Sequence, residues 1–144
     1  MASEDIRVGE LTIRFLVEAE HSNGSAAVFE VDVPAGARVP APHSHDAYEE
    51  TMYGVEGTLT WTVEGVQHPL GPGDHVCIKR GEVHGFVNVS GEHAKQLAVV
   101  TPAVIGPQFF RDMAEVVNVG TPPDLAAIGA VMRGHGLTPA PPGG

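Results

Sequence analysis

Short runs of alternating hydrophobic and polar residues fill the first hundred positions of the chain. In one of these runs Phe29, Val31 and Val33 alternate with acidic residues, which predicts a β-strand with one buried and one solvated face. Similar runs recur at intervals of about 8–12 residues, with glycine- and proline-rich turns between them, and this rhythm predicts an all-β sandwich or barrel. The predicted strands cover 6–17, 26–33, 57–63, 66–70, 75–79, 83–89 and 94–101.

The hydrophobic pattern changes after position 105. Phe109, Phe110 and Met113 have helical spacing, which predicts a helix over 108–117. A second helix is predicted to begin at Thr121, with its hydroxyl as the cap and prolines in the first turn. Its buried face would consist of Leu125, Ile128 and Val131 or Met132, and Gly134 would end it.

These patterns divide the chain into three parts. We predict a β-barrel over 1–105, a helical extension packed on the barrel over 106–136, and a Pro/Gly tail over 137–144. The last six residues of this tail are expected to be disordered because they are rich in proline and glycine and lie at a terminus.

Composition and charge narrow the class of partner. The formal net charge is -10, and no basic stripe interrupts it, so neither nucleic acid nor an anionic membrane surface is expected as a partner. Cys77 is the single cysteine, which excludes an intramolecular disulfide. The first residues are acidic and no apolar segment of about 20 residues occurs, so we expect a cytoplasmic protein without a membrane span.

His43 and His45 are the most informative pair of residues for chemistry. Residues two apart in a strand point to the same face, so both imidazoles can reach one point. Glu50 has the opposite parity, so it could join them only if the chain bends between His45 and Glu50, and Glu49 would then face away. Three imidazoles and one carboxylate, with His84 as the third imidazole, suit Fe, Mn, Ni, Co, Cu or Zn.

The spacing of these residues resembles the two sequence motifs of the cupin superfamily. Residues 36–57 read G-(x)6-H-x-H-(x)4-E-(x)6-G, and residues 73–88 read G-(x)5-K-x-G-(x)2-H-(x)3-N. Two departures are visible: Lys79 occupies a position where the family usually has proline, and the gap from Gly36 to His43 is one residue longer than the commonest form. Neither departure affects a presumed ligand.

The resemblance implies a double-stranded β-helix, or jelly-roll, with one divalent transition metal inside the barrel mouth. It implies His43, His45, Glu50 and His84 as the metal ligands. The small single-domain chain resembles quercetin-dioxygenase-type cupins. Such cupins often form homodimers, so the resemblance also implies a homodimer. Iron, manganese or nickel is the favoured metal, and zinc, cobalt or copper is the alternative.

Three functions are compatible with this resemblance. The leading hypothesis is a dioxygenase that acts on a small enolic or phenolic substrate, with Glu50 as a candidate base and with Met52, Phe86 and Arg38 as candidate pocket-lining residues. The second is a metal-assisted isomerase, lyase or hydrolase that does not use dioxygen. The third is a non-catalytic protein that binds a metal and a metabolite.

Overall fold

The computed structural model describes residues 4–120 and 122–141. Most of these residues belong to two antiparallel β-sheets or to the turns between their strands. The strands are β1 (Asp5–Val8), β2 (Leu11–Val17), β3 (Ala27–Val33), β4 (His43–His45), β5 (Glu49–Glu56), β6 (Leu59–Val63), β7 (Val66–Leu70), β8 (His75–Ile78), β9 (His84–Val87), β10 (Ala94–Thr101) and β11 (Leu137–Pro139). The helices are α1 (Pro107–Val117) and α2 (Leu125–Gly134), with a short 3-10 helix at Ala19–His21. Neither α-helix in these residues is long and apolar enough to cross a bilayer.

The strand order is that of a jelly-roll barrel. The six-stranded sheet has the order β1-β2-β3-β10-β5-β8, and the five-stranded sheet has the order β11-β4-β9-β6-β7. Phe29, Val31 and Val33 are buried and the acidic residues between them are half-buried on the opposite face, as the alternation predicts. The predicted all-β jelly-roll fold with a short C-terminal helical part is therefore confirmed.

The first predicted strand is two strands in the structure. Gly9 has a φ of +60° and turns the chain between β1 and β2, so the run from 6 to 17 folds back on itself as a hairpin. The Gly9 N–H donates a hydrogen bond of 2.7 Å to the Asn118 side chain, which ties the turn to the end of α1. A period-two pattern alone cannot show such a turn because the pattern continues on both sides of it.

The second helix begins at Leu125, four residues after Thr121, where we predicted its start. Asp124 is its N-cap, and its carboxylate accepts hydrogen bonds of 3.1 Å from the N–H groups of Ala126 and Ala127. The prolines therefore precede the helix, and Thr121, the predicted cap, lies outside the described residues. The prediction that Leu125 lies on the buried face is wrong, since its side chain is 66% exposed, whereas Ile128 and Met132 are buried as predicted.

The segment that we assigned to a Pro/Gly tail contains a strand. β11 pairs with β4, with Leu137 opposite His45 and Pro139 opposite His43. Leu137 is 1% exposed and anchors this pairing, and β11 is an edge strand, where a proline is tolerated. Residues 142–144 of the predicted disordered end lie outside the described residues. The strand matters for function because it supports the strand that carries two of the candidate ligands.

Candidate metal centre

Two neighbouring strands of the five-stranded sheet bring three histidines together. His43 and His45 project from the same face of β4, and His84 lies on β9 directly opposite His43. The imidazole centroids are 4.7 Å apart for His43 and His84, 4.4 Å for His45 and His84, and 5.2 Å for His43 and His45. One ligand atom from each ring lies within 4.8 Å of the other two, so one metal ion could contact all three rings.

Backbone carbonyls set the protonation of two of these rings. The Nδ1 of His43 lies 2.8 Å from the carbonyl oxygen of Ala41, and the Nδ1 of His84 lies 2.9 Å from that of Glu82. A carbonyl only accepts hydrogen bonds, so each Nδ1 carries the proton and each Nε2 presents a lone pair. This is the arrangement in which a histidine binds a metal through Nε2.

Burial keeps the three imidazoles neutral. Desolvation, and then the proximity of His84, lower the pKa of His43 to about 3. The same causes, together with His43, lower the pKa of His45 to about 2, and burial lowers the pKa of His84. All three histidines are therefore ready to donate a lone pair at neutral pH without first losing a proton.

Two nitrogens of this cluster have no hydrogen-bond partner among the described residues. They are Nδ1 of His45 and Nε2 of His84, and both are buried. A buried polar atom without a partner costs about 1–3 kcal/mol, so native structures usually provide such an atom with a ligand or an ordered water. Convergent lone pairs on buried, neutral imidazoles fit a divalent transition metal.

Glu50 reaches the same cavity from the opposite sheet. The chain leaves β4 at His45 and enters β5 at Glu49, and this break turns the Glu50 side chain inward. Glu50 is 8% exposed, and desolvation raises the pKa of its carboxyl group to about 7. Its oxygens lie outside the tight group formed by the three imidazoles, so the structure brings the histidines together and places Glu50 in the wall beside them.

The cavity has a volume of about 80 Å³ and a largely apolar wall. Met52 and Phe86 line it, as the sequence suggested, and α1, α2 and β11 contribute Phe109, Phe110, Met113, Met132 and Leu137. Sequence reasoning assigned these five residues to packing or to the tail. The spacing of Phe109, Phe110 and Met113 indicated an apolar helix face, but nothing in it showed that this face covers the cavity.

Arg38 lies outside this cavity. It is exposed and borders a groove next to the cavity, whereas Ala37 is buried and Val39 lines the cavity. The reason is local alternation: Arg38 forms a bridge with Val87, so the side chains of successive residues point to opposite sides. Among the described residues that line the cavity, none is lysine or arginine.

Tyr48 is a further residue of the cavity wall, and the sequence analysis did not single it out as a site residue. Its side chain is completely buried, and its ring stacks on His45 with centroids 4.2 Å apart and an interplanar angle of 17°. Burial, followed by the charge of Glu50, raises the pKa of its hydroxyl, which therefore stays protonated. The sequence contained an indication of this placement, because Tyr48, Glu50 and Met52 are two residues apart and such residues share a face of a strand.

The cupin domain family matches residues 29–100, which is half of the chain and contains every candidate ligand. The chain therefore belongs to the cupin superfamily. The family and the three-histidine cluster together indicate a metal cofactor.

Similar proteins are known by sequence and by structure. A quercetin 2,3-dioxygenase from Bacillus subtilis is 27% identical over 107 residues, which are 74% of this chain but only 31% of that protein. The crystal structure of a predicted oxalate decarboxylase from Thermotoga maritima superposes with a TM-score of 0.64 at 24% identity, covering 71% of this chain and 93% of that one. A sugar phosphate isomerase from Silicibacter pomeroyi gives a TM-score of 0.53 at 27% identity, covering 62% and 59%.

Proposed function

We propose that this chain is a metal-dependent dioxygenase that acts on a small enolic or phenolic substrate. The observation that carries the proposal is the convergence of three neutral, buried imidazoles in a cavity whose only carboxylate, among the described lining residues, is Glu50. His43, His45, Glu50 and His84 would hold one divalent transition metal, with iron, manganese or nickel favoured. The similarity to a quercetin 2,3-dioxygenase supports dioxygen as the second substrate.

Each group of the site has a distinct task. A bound metal would supply Lewis-acid activation of a substrate oxygen and access to dioxygen. His43 and His84, oriented by backbone carbonyls, hold their lone pairs in fixed directions. Glu50 supplies negative charge and is the cavity's candidate base for the proton of a substrate hydroxyl. The apolar wall excludes water and receives the carbon skeleton of the substrate.

The wall chemistry favours an uncharged substrate body. A sugar phosphate or a dicarboxylate needs cationic side chains to replace its hydration, and none lines the described part of this cavity. An enol or a phenol needs only one oxygen site and an apolar surface. The cavity of about 80 Å³ is smaller than the roughly 150 Å³ that accommodates benzene, so part of its wall has to move outward to admit a phenol.

A second candidate is a metal-assisted isomerase, lyase or hydrolase that does not use dioxygen. The observation that favours it is the similarity to a sugar phosphate isomerase at 27% identity. The two candidates differ in oxygen uptake. With a panel of small enols and phenols, the dioxygenase consumes oxygen in step with substrate and stops under strict anaerobiosis, whereas turnover that continues unchanged without oxygen supports the second candidate.

The first experiment measures metal content by elemental mass spectrometry on protein purified without added metal or nickel affinity resin. We expect about one equivalent of a single transition metal in the wild type and in His75→Ala, whose side chain is exposed on β8, and little metal in His43→Ala. Retention of the metal by His43→Ala contradicts the proposed site. The homodimer implied by the family resemblance stays a prediction, which the molecular mass in solution tests.

A further inference from the structure

The hydroxyl of Tyr48 is a buried hydrogen-bonding group in the wall of the cavity. The oxygen is inaccessible, and no hydrogen-bond partner for it is present in residues 4–120 and 122–141. It differs in this respect from the indole N–H of Trp61, which also belongs to the wall and donates a hydrogen bond of 2.8 Å to the side chain of Gln96.

The direction of this hydroxyl is fixed. The Tyr48 ring lies against the imidazole of His45 with nearly parallel planes, and the side chain is completely enclosed. A phenol oxygen lies on the axis of its ring, so it cannot move without displacing the ring. The carboxylate of Asp46, two residues earlier, accepts a hydrogen bond of 2.7 Å from Thr138 at the surface and does not serve Tyr48.

Tyr48 lies beside the candidate metal site. It lies in the link between β4 and β5, between the last histidine of one sheet and the glutamate of the other, and it lines the same cavity as both. Apart from the histidines and Glu50, it is the one hydrogen-bonding side chain in the described wall that is not already engaged. Apart from the histidines and Glu50, no other side chain of the described wall therefore offers a ligand an unused O–H or N–H group.

We propose that Tyr48 is a substrate-binding residue whose hydroxyl donates a hydrogen bond to an oxygen atom of the small molecule held in the cavity. This inference rests on the proposed function, because it takes the cavity to be the place where a metal and a substrate oxygen meet. It deepens that function by defining the ligand: an apolar body that carries an oxygen acceptor within reach of both the metal and Tyr48. A ligand without such an oxygen would leave the buried hydroxyl without a partner, and the site would discriminate against it.

The test compares the two tyrosines of the chain. Tyr48→Phe removes only the buried hydroxyl and keeps the ring on His45, and Tyr53→Phe is the matched control, because Tyr53 is 45% exposed on β5. Wild type and both variants are loaded with Co(II), and the visible absorption of the cobalt is followed during titration with acetate. We expect equal cobalt stoichiometry in all three, acetate binding about tenfold weaker in Tyr48→Phe, and no change in Tyr53→Phe.

A second measurement separates ligand binding from a purely structural role. In the metal-free protein, Tyr48→Phe removes a polar group that has no partner, so its melting temperature is expected to equal or exceed that of the wild type. Acetate affinity within twofold of wild type, absence of acetate binding to the cobalt-loaded wild type, or a lower melting temperature of metal-free Tyr48→Phe overturns the inference while leaving the metal site intact. Failure of the wild type to bind Co(II) overturns the proposed function, and this inference with it.

Discussion

Glu49 and Glu50 are adjacent on β5, and their carboxylates lie on opposite sides of the sheet. Glu49 points outward and accepts hydrogen bonds of 2.6 and 2.8 Å from the guanidinium of Arg80, which lowers the pKa of its carboxyl group to about 2. Glu50 points into the cavity, where burial raises its pKa to about 7. Two neighbouring glutamates thus have different environments, one in solvent and one in the cavity, and their variants form a matched pair for experiment.

Glu50→Gln is expected to weaken metal binding by at least about tenfold, because the amide cannot supply the negative charge that a carboxylate offers a cation. Competition with a chromophoric chelator measures the affinity. Glu49→Gln is the control, and its metal affinity should match the wild type because its carboxylate faces solvent. Equal affinity of Glu50→Gln and wild type would show that Glu50 is not a ligand.

The stability of the metal-free protein is expected to fall on acidification below pH 6.5. The three histidines have folded-state pKa values below 6.5, so the unfolded chain binds protons that the folded chain does not, and stability is lost as pH falls toward about 3. Glu50 acts in the opposite direction, since its raised pKa stabilises the fold below 4.5 and this contribution is lost as pH rises through 7.

The low pKa values of His43 and His45 outweigh the raised pKa of Glu50, and the net loss of stability near pH 5 is at least about 1–2 kcal/mol per pH unit. Urea unfolding midpoints of the metal-free protein at pH 7, 6 and 5 measure this loss. A midpoint that stays constant or rises between pH 7 and pH 5 contradicts the neutral, buried state of the histidines.

Trp61 is the single tryptophan and is expected to report metal binding through its fluorescence. Its ring centroid lies 6.1 Å from that of His84, and its N–H group is held by Gln96. Binding of Ni(II) or Cu(II) at the histidines should strongly quench the emission by energy transfer to the metal, and a chelator should restore it. Zn(II), which has a filled d shell, should quench little. His84→Ala should show no saturable quenching.

Leu137→Ala is expected to destabilise the protein by about 2–5 kcal/mol because Leu137 is completely packed in the cavity wall. Leu125→Ala is the matched control from the same C-terminal segment; its side chain is 66% exposed, and a change within about 0.5 kcal/mol is expected. Urea unfolding measures both values. Equal stability of the two variants would show that β11 does not contribute to the folded core.

The sequence predicted the parts of the fold that depend on local alternation. β10 has the predicted bounds, and His43 and His45 share a face because two-residue spacing requires it. Glu50 could not be placed by parity alone, because the bend between β4 and β5 has no periodic signal. Only the resemblance to the family motif related Glu50 to the histidines at that stage.

Long-range packing accounts for what the sequence did not predict. β11 has three residues, one of them a proline, so it lacks a strand pattern and exists because β4 offers it a partner. Arg38 lies in an irregular segment in which the inward and outward positions could not be assigned. The absence of a partner for the Tyr48 hydroxyl, in the described structure, is visible only after the whole chain has folded.

The candidate ligands come from both walls of the barrel: three from the five-stranded sheet and one from the six-stranded sheet. An ion bound by all four would act as a cross-link between the two sheets. The sheets could then separate only after a bond to the ion had broken, so metal loading should slow unfolding as well as shift its equilibrium. A chelator would in that case control how long the barrel persists under stress, and metal supply in the cell would determine the lifetime of the protein as well as its chemistry.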